Sequence, residues 1–258
     1  MPVSTRFSGI RLRKDDKYIK ADDDVALDLP IGLYINDKLL ATIYATPEDL
    51  EELAIGFLIS QGILDNVNEI LDIKLTGVNV NVIVSSKKVD NIFNEYSTLK
   101  VILSSCGLLD DFVKKRNIKV ESNYRISISE LFSMIRVMGK ISSEYRRYMA
   151  LHTAGIFEDM KLVSVAYDVN RHVAIDKVIG KAIKKKVNFQ NSVLITSGRL
   201  SADMILKSGG VGIPITVSLR GPLYSGLRTA LNTGITCIAL TRGGGFTIYT
   251  HPERIILD

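Results

Sequence analysis

The last third of the sequence alternates short apolar runs with segments of helical length. Three runs, SVLIT, IPITVS and TCIALT, are separated by the predicted helices SADMILKSGG and LYSGLRTALNTG. Strands and helices that alternate at this spacing predict parallel strands joined by right-handed crossovers. We therefore expect an α/β protein with a layered mixed sheet, in a chain of 258 residues that is long enough for one large domain or two small ones.

The first part of the sequence predicts antiparallel strands and a helix. Asn36 and Asp37 lie between the runs IGLYI and LLATIYA, and both residue types tolerate the positive φ angles of a tight hairpin turn. Thr46 is then the expected N-cap of a helix that has Pro47 in its first position and ends at Gly62. Residues 70–104 alternate like further strands.

A second helix and a second hairpin precede the α/β alternation. Ser127 and Glu130 form an S-x-x-E capping box ahead of apolar residues at helical spacing. Residues 151–169 are typical of a hairpin that turns near Glu158 and Asp159. We expect two portions, an N-terminal antiparallel β/α portion of residues 1–125 and an α/β portion of residues 126–258.

Composition argues against several classes of protein. The net charge is +5 and the pI is about 9.1, but basic residues near the N-terminus are interleaved with aspartates. A solvated surface explains this pattern better than a nucleic-acid-binding stripe. The sequence lacks the apolar core of a signal peptide and any run of about eighteen apolar residues. We therefore expect a cytoplasmic protein without membrane spans, in which thiols stay reduced.

Metal chemistry has little support in the sequence. Two cysteines are too few for a disulfide framework or a cysteine-based zinc site. His152, His172 and His251 are far apart and lack H-x-x-x-H spacing, and the zinc deaminase signature is missing. No metal site is expected.

Two loops at expected strand ends have the composition of anion-binding sites. The first follows SVLIT and offers a hydroxyl, a close backbone approach and a guanidinium, from Ser197, Gly198 and Arg199. The second follows TCIALT, where three glycines after Arg242 let backbone amides approach an anion or a flat ring. Helix capping is an alternative explanation of the first loop, and a hairpin turn is an alternative explanation of the second.

A third candidate is the beginning of the predicted helix in residues 167–183. Asp168 or Asn170 could cap this helix, and charged side chains crowd its first turns. His172 and Asp176 are four residues apart and share one side of the helix, as an acid–base pair would. A surface cluster of salt bridges fits the same residues.

Cys106 is the remaining candidate for nucleophilic chemistry. It follows two serines and precedes a glycine, whereas Cys237 lies in an apolar run and is expected to be a core thiol. A position in a loop near arginine or histidine would expose Cys106 and lower the pKa of its thiol. The local residues leave open whether Cys106 is a small core residue or a reactive thiolate.

Seven segments resemble, in order, the formate dehydrogenase accessory sulfurtransferase family, FdhD. They are TPEDLEELAIGFLISQGI, SSCG, LHTAGIF, NRHVAIDKVIG, TSGRLSADMI, GIPITVS and RGGGFTIYTHPERI, and the resemblance covers residues 28–255. It implies a fold similar to cytidine deaminases without their zinc, and a homodimer. The first portion would then carry the cysteine loop, and the second would bind a nucleotide-containing cofactor.

The resemblance also implies that the protein is an enzyme, a sulfurtransferase. Cys106 would receive sulfur from a cysteine desulfurase as a persulfide. It would pass the sulfur to the molybdenum (or tungsten) bis-guanine dinucleotide cofactor of the formate dehydrogenase catalytic subunit, and GDP-like nucleotides would mimic that cofactor. The cofactor-binding segment of the family falls on Leu240, Thr241, Arg242, Gly243, Gly244 and Gly245. Further candidates for cofactor contacts are Ser197, Gly198, Arg199 and His172.

The chain departs from the family pattern close to Cys106. The family usually carries C-x-x-C, and Leu109 occupies the second position here, so this loop has no resolving thiol. Val173 stands where asparagine is common, and Met149 and Ala150 stand where glycines are usual. Two alternatives therefore remain open. One is a cofactor-binding chaperone that moves no sulfur, and the other is a Cys–His acyl-transfer enzyme that uses Cys106 with His152 or His172.

Overall fold

The computed structural model describes residues 4–12, 14, 18–85, 93, 117–145, 150–240 and 245–258 of the chain. Its α-helices within these residues are α1 (Leu50–Ser60), α2 (Ile128–Tyr145), α3 (Arg171–Lys184), α4 (Ala202–Gly210) and α5 (Tyr224–Thr233). Its strands are β1 (Ser4–Leu12), β2 (Tyr18–Ala26), β3 (Leu29–Ile35), β4 (Lys38–Ala45), β5 (Ile70–Thr76), β6 (Asn79–Val84), β7 (Ile126–Ser127), β8 (His152–Glu158), β9 (Lys161–Asp168), β10 (Ser192–Thr196), β11 (Ile215–Ser218), β12 (Thr236–Leu240), β13 (Phe246–Ile248) and β14 (Ile255–Ile256).

A six-stranded sheet in the order β13-β12-β11-β10-β8-β9 forms the centre of the C-terminal part. Strands β10, β11 and β12 are parallel, and α4 and α5 connect them, as the alternation of strand and helix predicts. Strands β8, β9 and β13 join in antiparallel pairs. The prediction of a mixed α/β sheet is confirmed, while the specific likeness to cytidine deaminases stays a prediction.

The two faces of this sheet enter different hydrophobic clusters, because successive residues of a strand point to opposite faces. Leu194 packs with buried side chains of α3 and α4 such as Ile175 and Met204. Val193 and Ile195 pack on the other face with the buried side of α2. Helices therefore cover both faces, and the buried methionines of α2 belong to the core, as its sequence pattern predicts.

Two predictions from local sequence signals are confirmed in detail. In the capping box of α2, Ser127 N donates to Glu130 Oε2 at 2.7 Å, and Glu130 N donates to Ser127 Oγ at 3.2 Å. Asn36 and Asp37 connect β3 to β4 with φ angles of 44° and 65°. Both signals depend on neighbouring residues alone, which is why the sequence reveals them.

A four-stranded sheet in the order β4-β3-β6-β5 forms the N-terminal part, and α1 packs between this sheet and α3. The two helices approach closely because a glycine lies on each side of their contact. A Cβ atom on Gly56 would lie 1.8 Å from the carbonyl oxygen of Asp176, and one on Gly180 would lie 2.0 Å from that of Glu52. Any side chain at either position would force the helices apart.

The beginning of α1 differs from the prediction. The helix begins at Leu50 rather than at Pro47, and Asp49 precedes it in a left-handed conformation with φ of 53°. The cause lies in the tertiary structure. Thr46 N donates to Asp168 Oδ2 at 3.0 Å, and Thr46 O accepts from Lys177 Nζ at 2.8 Å. These buried bonds hold Thr46 in the segment between β4 and the helix.

Two buried ion pairs lie along α3. Lys177 Nζ is 2.7 Å from Asp168 Oδ2, and both side chains are fully buried. Lys207 Nζ is 2.6 Å from Asp176 Oδ1, which also accepts from Ser60 Oγ at 3.0 Å. The expectation that Asp176 pairs with His172, or lies in a surface cluster, is wrong, because this carboxylate contacts α1 and α4 in the interior.

The N-terminal strands β1 and β2 form a separate two-stranded sheet with mostly exposed side chains. Arg11 and Asp23 pair there at 2.6 Å on the surface, which agrees with the solvated pattern of interleaved charges. The division after residue 125 stays a prediction. Val120 already packs in the cluster of α3 and α4, and its N donates to Thr233 O at 2.8 Å. Within the described ranges, no helix combines the length and the apolar character needed to cross a membrane.

We expect Lys207→Met to lower the free energy of unfolding by about 3–5 kcal/mol, because it leaves the Asp176 carboxylate buried without its cation. Lys184→Met is the matched control, since Lys184 pairs with Glu51 and Glu52 on the surface and its loss should change stability by about 1 kcal/mol or less. Urea unfolding followed by circular dichroism measures both. Equal effects of the two substitutions would contradict the importance assigned to the buried pair.

Candidate functional site

A cavity of about 420 Å³ lies at the carboxyl ends of the parallel strands. Open α/β sheets generally bind ligands at this edge, since the loops after several strands meet there. The wall on the strand side includes residues that follow β10 and β11, the end of β12 and the segment at the beginning of β8. They are Ser197, Leu219, Arg220, Leu240, Ala150, Leu151 and His152.

The opposite wall of the cavity is one face of α2. Ile135, Gly139 and Ser142 line it, at the four- and three-residue spacing that places side chains on the same side of a helix. Ser142 Oγ lies 2.5 Å from Thr153 Oγ1, so a hydrogen bond ties this face of the helix to β8. The site is therefore a slot between a helix and the edge of a sheet.

The loop after β10 is held rigidly by its neighbours. Ser197 N donates to Thr153 O at 2.9 Å, and Ser197 Oγ accepts from Thr153 N at 2.8 Å. Because the oxygen accepts this bond, the hydroxyl hydrogen of Ser197 can donate to a ligand in the cavity. Gly198 N donates to Thr196 Oγ1 at 3.0 Å, and a Cβ on Gly198 would lie 3.0 Å from Cβ of Arg171. The loop thus brings β10 against the first residue of α3.

His152, a residue in the wall of the cavity, lies within electrostatic reach of three guanidinium groups. Burial holds the pKa of His152 below its ordinary value, and the charges of Arg171, Arg220 and Arg199 lower it further. A neutral imidazole among three cations is a consistent arrangement, because protonation would add a fourth positive charge. The strand-end edge therefore carries several positive charges, and the exposed side chains of Arg199 and Arg220 can donate hydrogen bonds to an anion.

His172 lies beside this edge, at the beginning of α3. Of the two residues expected as possible caps, Asn170 is the one that caps the helix, and its Oδ1 accepts from His172 N at 3.0 Å. Burial, followed by the charges of Lys207 and Arg171, lowers the pKa of His172 to about 3. The imidazole Nε2 is buried, accepts or donates no hydrogen bond among the described residues, and lies 4.0 Å from Asp203 Oδ2. His172 is thus a neutral group next to the cavity, and it is not among the residues that line it.

The structure brings together part of the site expected from the sequence. Ser197 and Leu240 line the same cavity, and Arg199 lies close enough to lower the pKa of His152. Gly245 is described and directly precedes β13, and it is not a lining residue. Other expected residues lie outside the described part of the chain. They are Cys106, Thr241, Arg242, Gly243 and Gly244.

Of the residues that line the cavity, sequence reasoning expected only Ser197 and Leu240 as cofactor contacts, and Arg220 and Gly139 are among those it missed. Arg220 follows β11 and precedes a glycine, which is the same arginine-plus-glycine signal that marks the loops after β10 and β12. That signal could have found it. Gly139 carries no chemical group, and only its place in the wall of the cavity reveals it.

Cys237 is a core thiol, as predicted. Its side chain is fully buried in the cluster of α3 and α4, and burial raises the pKa of its thiol to about 12. Such a thiol stays protonated and unreactive at neutral pH. Across the described residues, no cluster of three or more histidine, cysteine or acidic side chains is arranged to hold a metal ion.

Comparisons with known proteins agree with the fold and cover almost the whole chain. The FdhD/NarQ family matches residues 26–256. The protein named sulfur carrier protein FdhD from Methanothermobacter thermautotrophicus is 34% identical over 245 residues, which cover 95% of this chain and 96% of that protein. Its namesake from Staphylococcus aureus strain Newman is 29% identical over 247 residues, with coverage of 94% and 93%.

A solved structure gives the same result in three dimensions. The crystal structure of a candidate formate dehydrogenase accessory protein from Desulfotalea psychrophila is 27% identical to this chain, with a TM-score of 0.80. The superposition covers 99% of this chain and 100% of that one. The resemblance read from the seven sequence segments is therefore confirmed.

We expect His172 to make the folded protein less stable in acid. Its ordinary pKa is 6.5 and its pKa in the folded protein is about 3, so between these values the unfolded chain binds a proton that the folded chain does not. Stability therefore falls as the pH falls below about 6.5, by about 2 kcal/mol between pH 7 and pH 5. His172→Gln removes the titrating group, and urea unfolding at both pH values should show a loss that is smaller by this amount. At pH 8 the imidazole is neutral in both states, so the difference in stability there gives the effect of the substitution on packing and is subtracted. If the stability of the variant fell with pH as much as that of the unmodified chain, the lowered pKa would not belong to His172.

Proposed function

This chain belongs to the FdhD/NarQ family, and we propose that it is a sulfur carrier, a sulfurtransferase that serves a formate dehydrogenase. Cys106 accepts a sulfur atom from a cysteine desulfurase as a persulfide. It then passes the sulfur to the molybdenum (or tungsten) bis-guanine dinucleotide cofactor, which is the substrate of the transfer. The names of the relatives support the carrier role and the connection with formate dehydrogenase.

The observation that carries this proposal is the cationic cavity at the strand ends. A guanine dinucleotide presents a diphosphate, whose charge needs fixed cations, and a flat base, which needs an apolar slot. Arg171, Arg199 and Arg220 supply the positive charge near His152. Leu219 and Leu240 supply apolar surface in the same cavity. The residues that are present therefore fit one arm of the cofactor.

The polar groups in and beside the cavity have distinct tasks in holding this substrate. Arg199 and Arg220 form charge-assisted hydrogen bonds with phosphate oxygens, each of which contributes about 1.5–3 kcal/mol. Ser197 donates its hydroxyl hydrogen, since its oxygen already accepts from Thr153 N. Neutral His152 can donate from one ring nitrogen and accept at the other, so it can orient a base or a sugar without adding charge.

The transfer of sulfur to Cys106 balances without any further reagent. The Cys106 thiolate attacks the terminal sulfur of the donor's persulfide, a new S–S bond forms, and the donor cysteine leaves as a thiolate. Loss of the terminal sulfur as a neutral atom later returns Cys106 to its thiolate. An acceptor that holds this sulfur as sulfide supplies the two electrons. One cysteine is sufficient for both steps, so Leu109 in the second position of the family motif does not prevent them.

Leu109 nevertheless favours a second candidate function, a chaperone that binds the guanine dinucleotide cofactor and moves no sulfur. The two functions differ in their need for Cys106. A host that lacks its own member of the family and carries this chain with Cys106→Ser separates them. A carrier fails to activate formate dehydrogenase after this substitution, whereas a chaperone retains the activity.

We expect mass spectrometry to find added sulfur on Cys106 after incubation with a cysteine desulfurase and cysteine. Cys106→Ala should abolish the adduct, and Cys237→Ala should retain it, because Cys237 is buried and its thiol has a pKa of about 12. An adduct that is still present after Cys106→Ala, or the absence of any adduct on the unmodified chain, would contradict the proposed carrier role.

We expect Arg220→Ala to weaken GDP binding by about tenfold or more, since one lost charge-assisted bond corresponds to at least that factor. The matched control is Arg228→Ala on α5, because Arg228 is exposed and stacks near Tyr224 outside the cavity. Isothermal titration calorimetry measures both affinities. If both substitutions weaken GDP binding equally, the cavity is not the nucleotide site.

A further inference from the structure

Gly139 occupies a position where glycine is unfavourable. It lies well inside α2, an α-helix of 18 residues, and glycine is the least favourable residue after proline in a helix interior. Backbone geometry does not call for it, because Gly139 is not among the residues with positive φ. An explanation must come from what surrounds the residue.

Helix packing does not explain Gly139 either. Every other glycine within an α-helix of the described residues lies against a neighbour that excludes a side chain. An added Cβ would come within 3.0 Å of another residue at Gly56, Gly180, Gly209, Gly210 and Gly226. At Gly139, an added Cβ meets no atom of the described residues within 4 Å. Among the described residues, none fills the space next to this glycine, which is exposed.

This open space is the slot described above. Gly139 lies between Ile135 and Ser142 on the helical wall of the cavity. Without a side chain at the middle position, the wall is a flat strip of helix backbone flanked by one apolar and one polar residue. Leu219 and Leu240 line the same cavity. A slot with a bare wall and apolar surface fits a flat heteroaromatic ring, which offers a large face and little thickness.

We propose that Gly139 is a specificity-determining residue, which keeps the slot open for the purine base of a guanine nucleotide. The phosphates of that nucleotide extend toward the arginine side chains at the strand ends. This inference rests on the proposed function for the identity of the base. It adds a residue that sets the size of the accepted ligand and a division of the cavity into a base slot and a phosphate edge.

The division makes a test with two ligands possible. GDP uses both parts of the cavity, whereas inorganic pyrophosphate carries the charge and lacks the base. Gly139→Leu adds four carbon atoms to the slot, and it should weaken GDP binding at least thirtyfold while pyrophosphate affinity stays within about twofold. Ser143→Leu is the matched control, since it adds the same side chain to an exposed neighbouring position outside the cavity. It should leave both affinities unchanged.

Gly139→Ala provides a second variant with opposite effects on stability and binding. Alanine favours the helix, so the melting temperature should rise by about 1–4 °C. GDP affinity should nevertheless fall several-fold, because the methyl group enters the slot. A purely structural role for Gly139 would lower the melting temperature and leave the affinity of the folded protein unchanged.

The outcomes separate this inference from the proposed function. If folded Gly139→Leu binds GDP as tightly as the unmodified chain, the inference fails and the proposed function stands. If Gly139→Leu weakens GDP and pyrophosphate equally, the assignment of a separate base slot is wrong. If the unmodified chain binds pyrophosphate but not GDP, both the inference and the proposed nucleotide site are overturned.

Discussion

The buried contacts of α3 are the constraint on which the arrangement of the site depends. Asp176 binds Lys207 of α4 and Ser60 of α1, and Lys177 binds Asp168 and the backbone of Thr46. Buried ion pairs contribute little net stability, since their desolvation offsets their attraction, but breaking one leaves an unpaired charge in the interior. They therefore fix α3 in one position relative to both sheets. That position sets where the beginning of the helix meets the strand ends.

The chemistry of the site follows from this placement. The first residue of α3 is Arg171, which lies against Gly198 in the loop after β10. The loop after β11 adds Arg220, so cations from separate parts of the chain act on His152 at one edge of the sheet. Like charges that lie close together repel each other, so the positive charge of this edge raises the local electrostatic potential and favours a neutral form of the histidines beside it.

The positive electrostatic potential of this edge also affects the protonation of its histidines. His152 and His172 both have lowered pKa values, first through burial and then through neighbouring cations. Neutral imidazoles can lie among arginines without further repulsion, and they still offer hydrogen bonds. Arginine and histidine are often grouped as basic, but at this edge the arginines carry positive charge while the lowered pKa values keep the histidines neutral at pH 7.

The sequence by itself determined the turns, caps and element types that depend on neighbouring residues. The tertiary structure decided the element boundaries and side-chain partners that depend on residues far apart in the chain. The Asn36–Asp37 turn, the capping box at Ser127 and the parallel strand–helix alternation could all be predicted, because their interactions span a few residues or follow from periodicity. The beginning of α1 could not, because Asp168, more than a hundred positions later, binds Thr46. The features of the site likewise divide into those that local sequence reveals and those that tertiary packing determines. The composition of its arginine and glycine loops was recognisable in the sequence. The ion-pair partner of Asp176 and the position of Gly139 in the wall of the cavity were not, because long-range packing determines which surfaces of the folded chain come together.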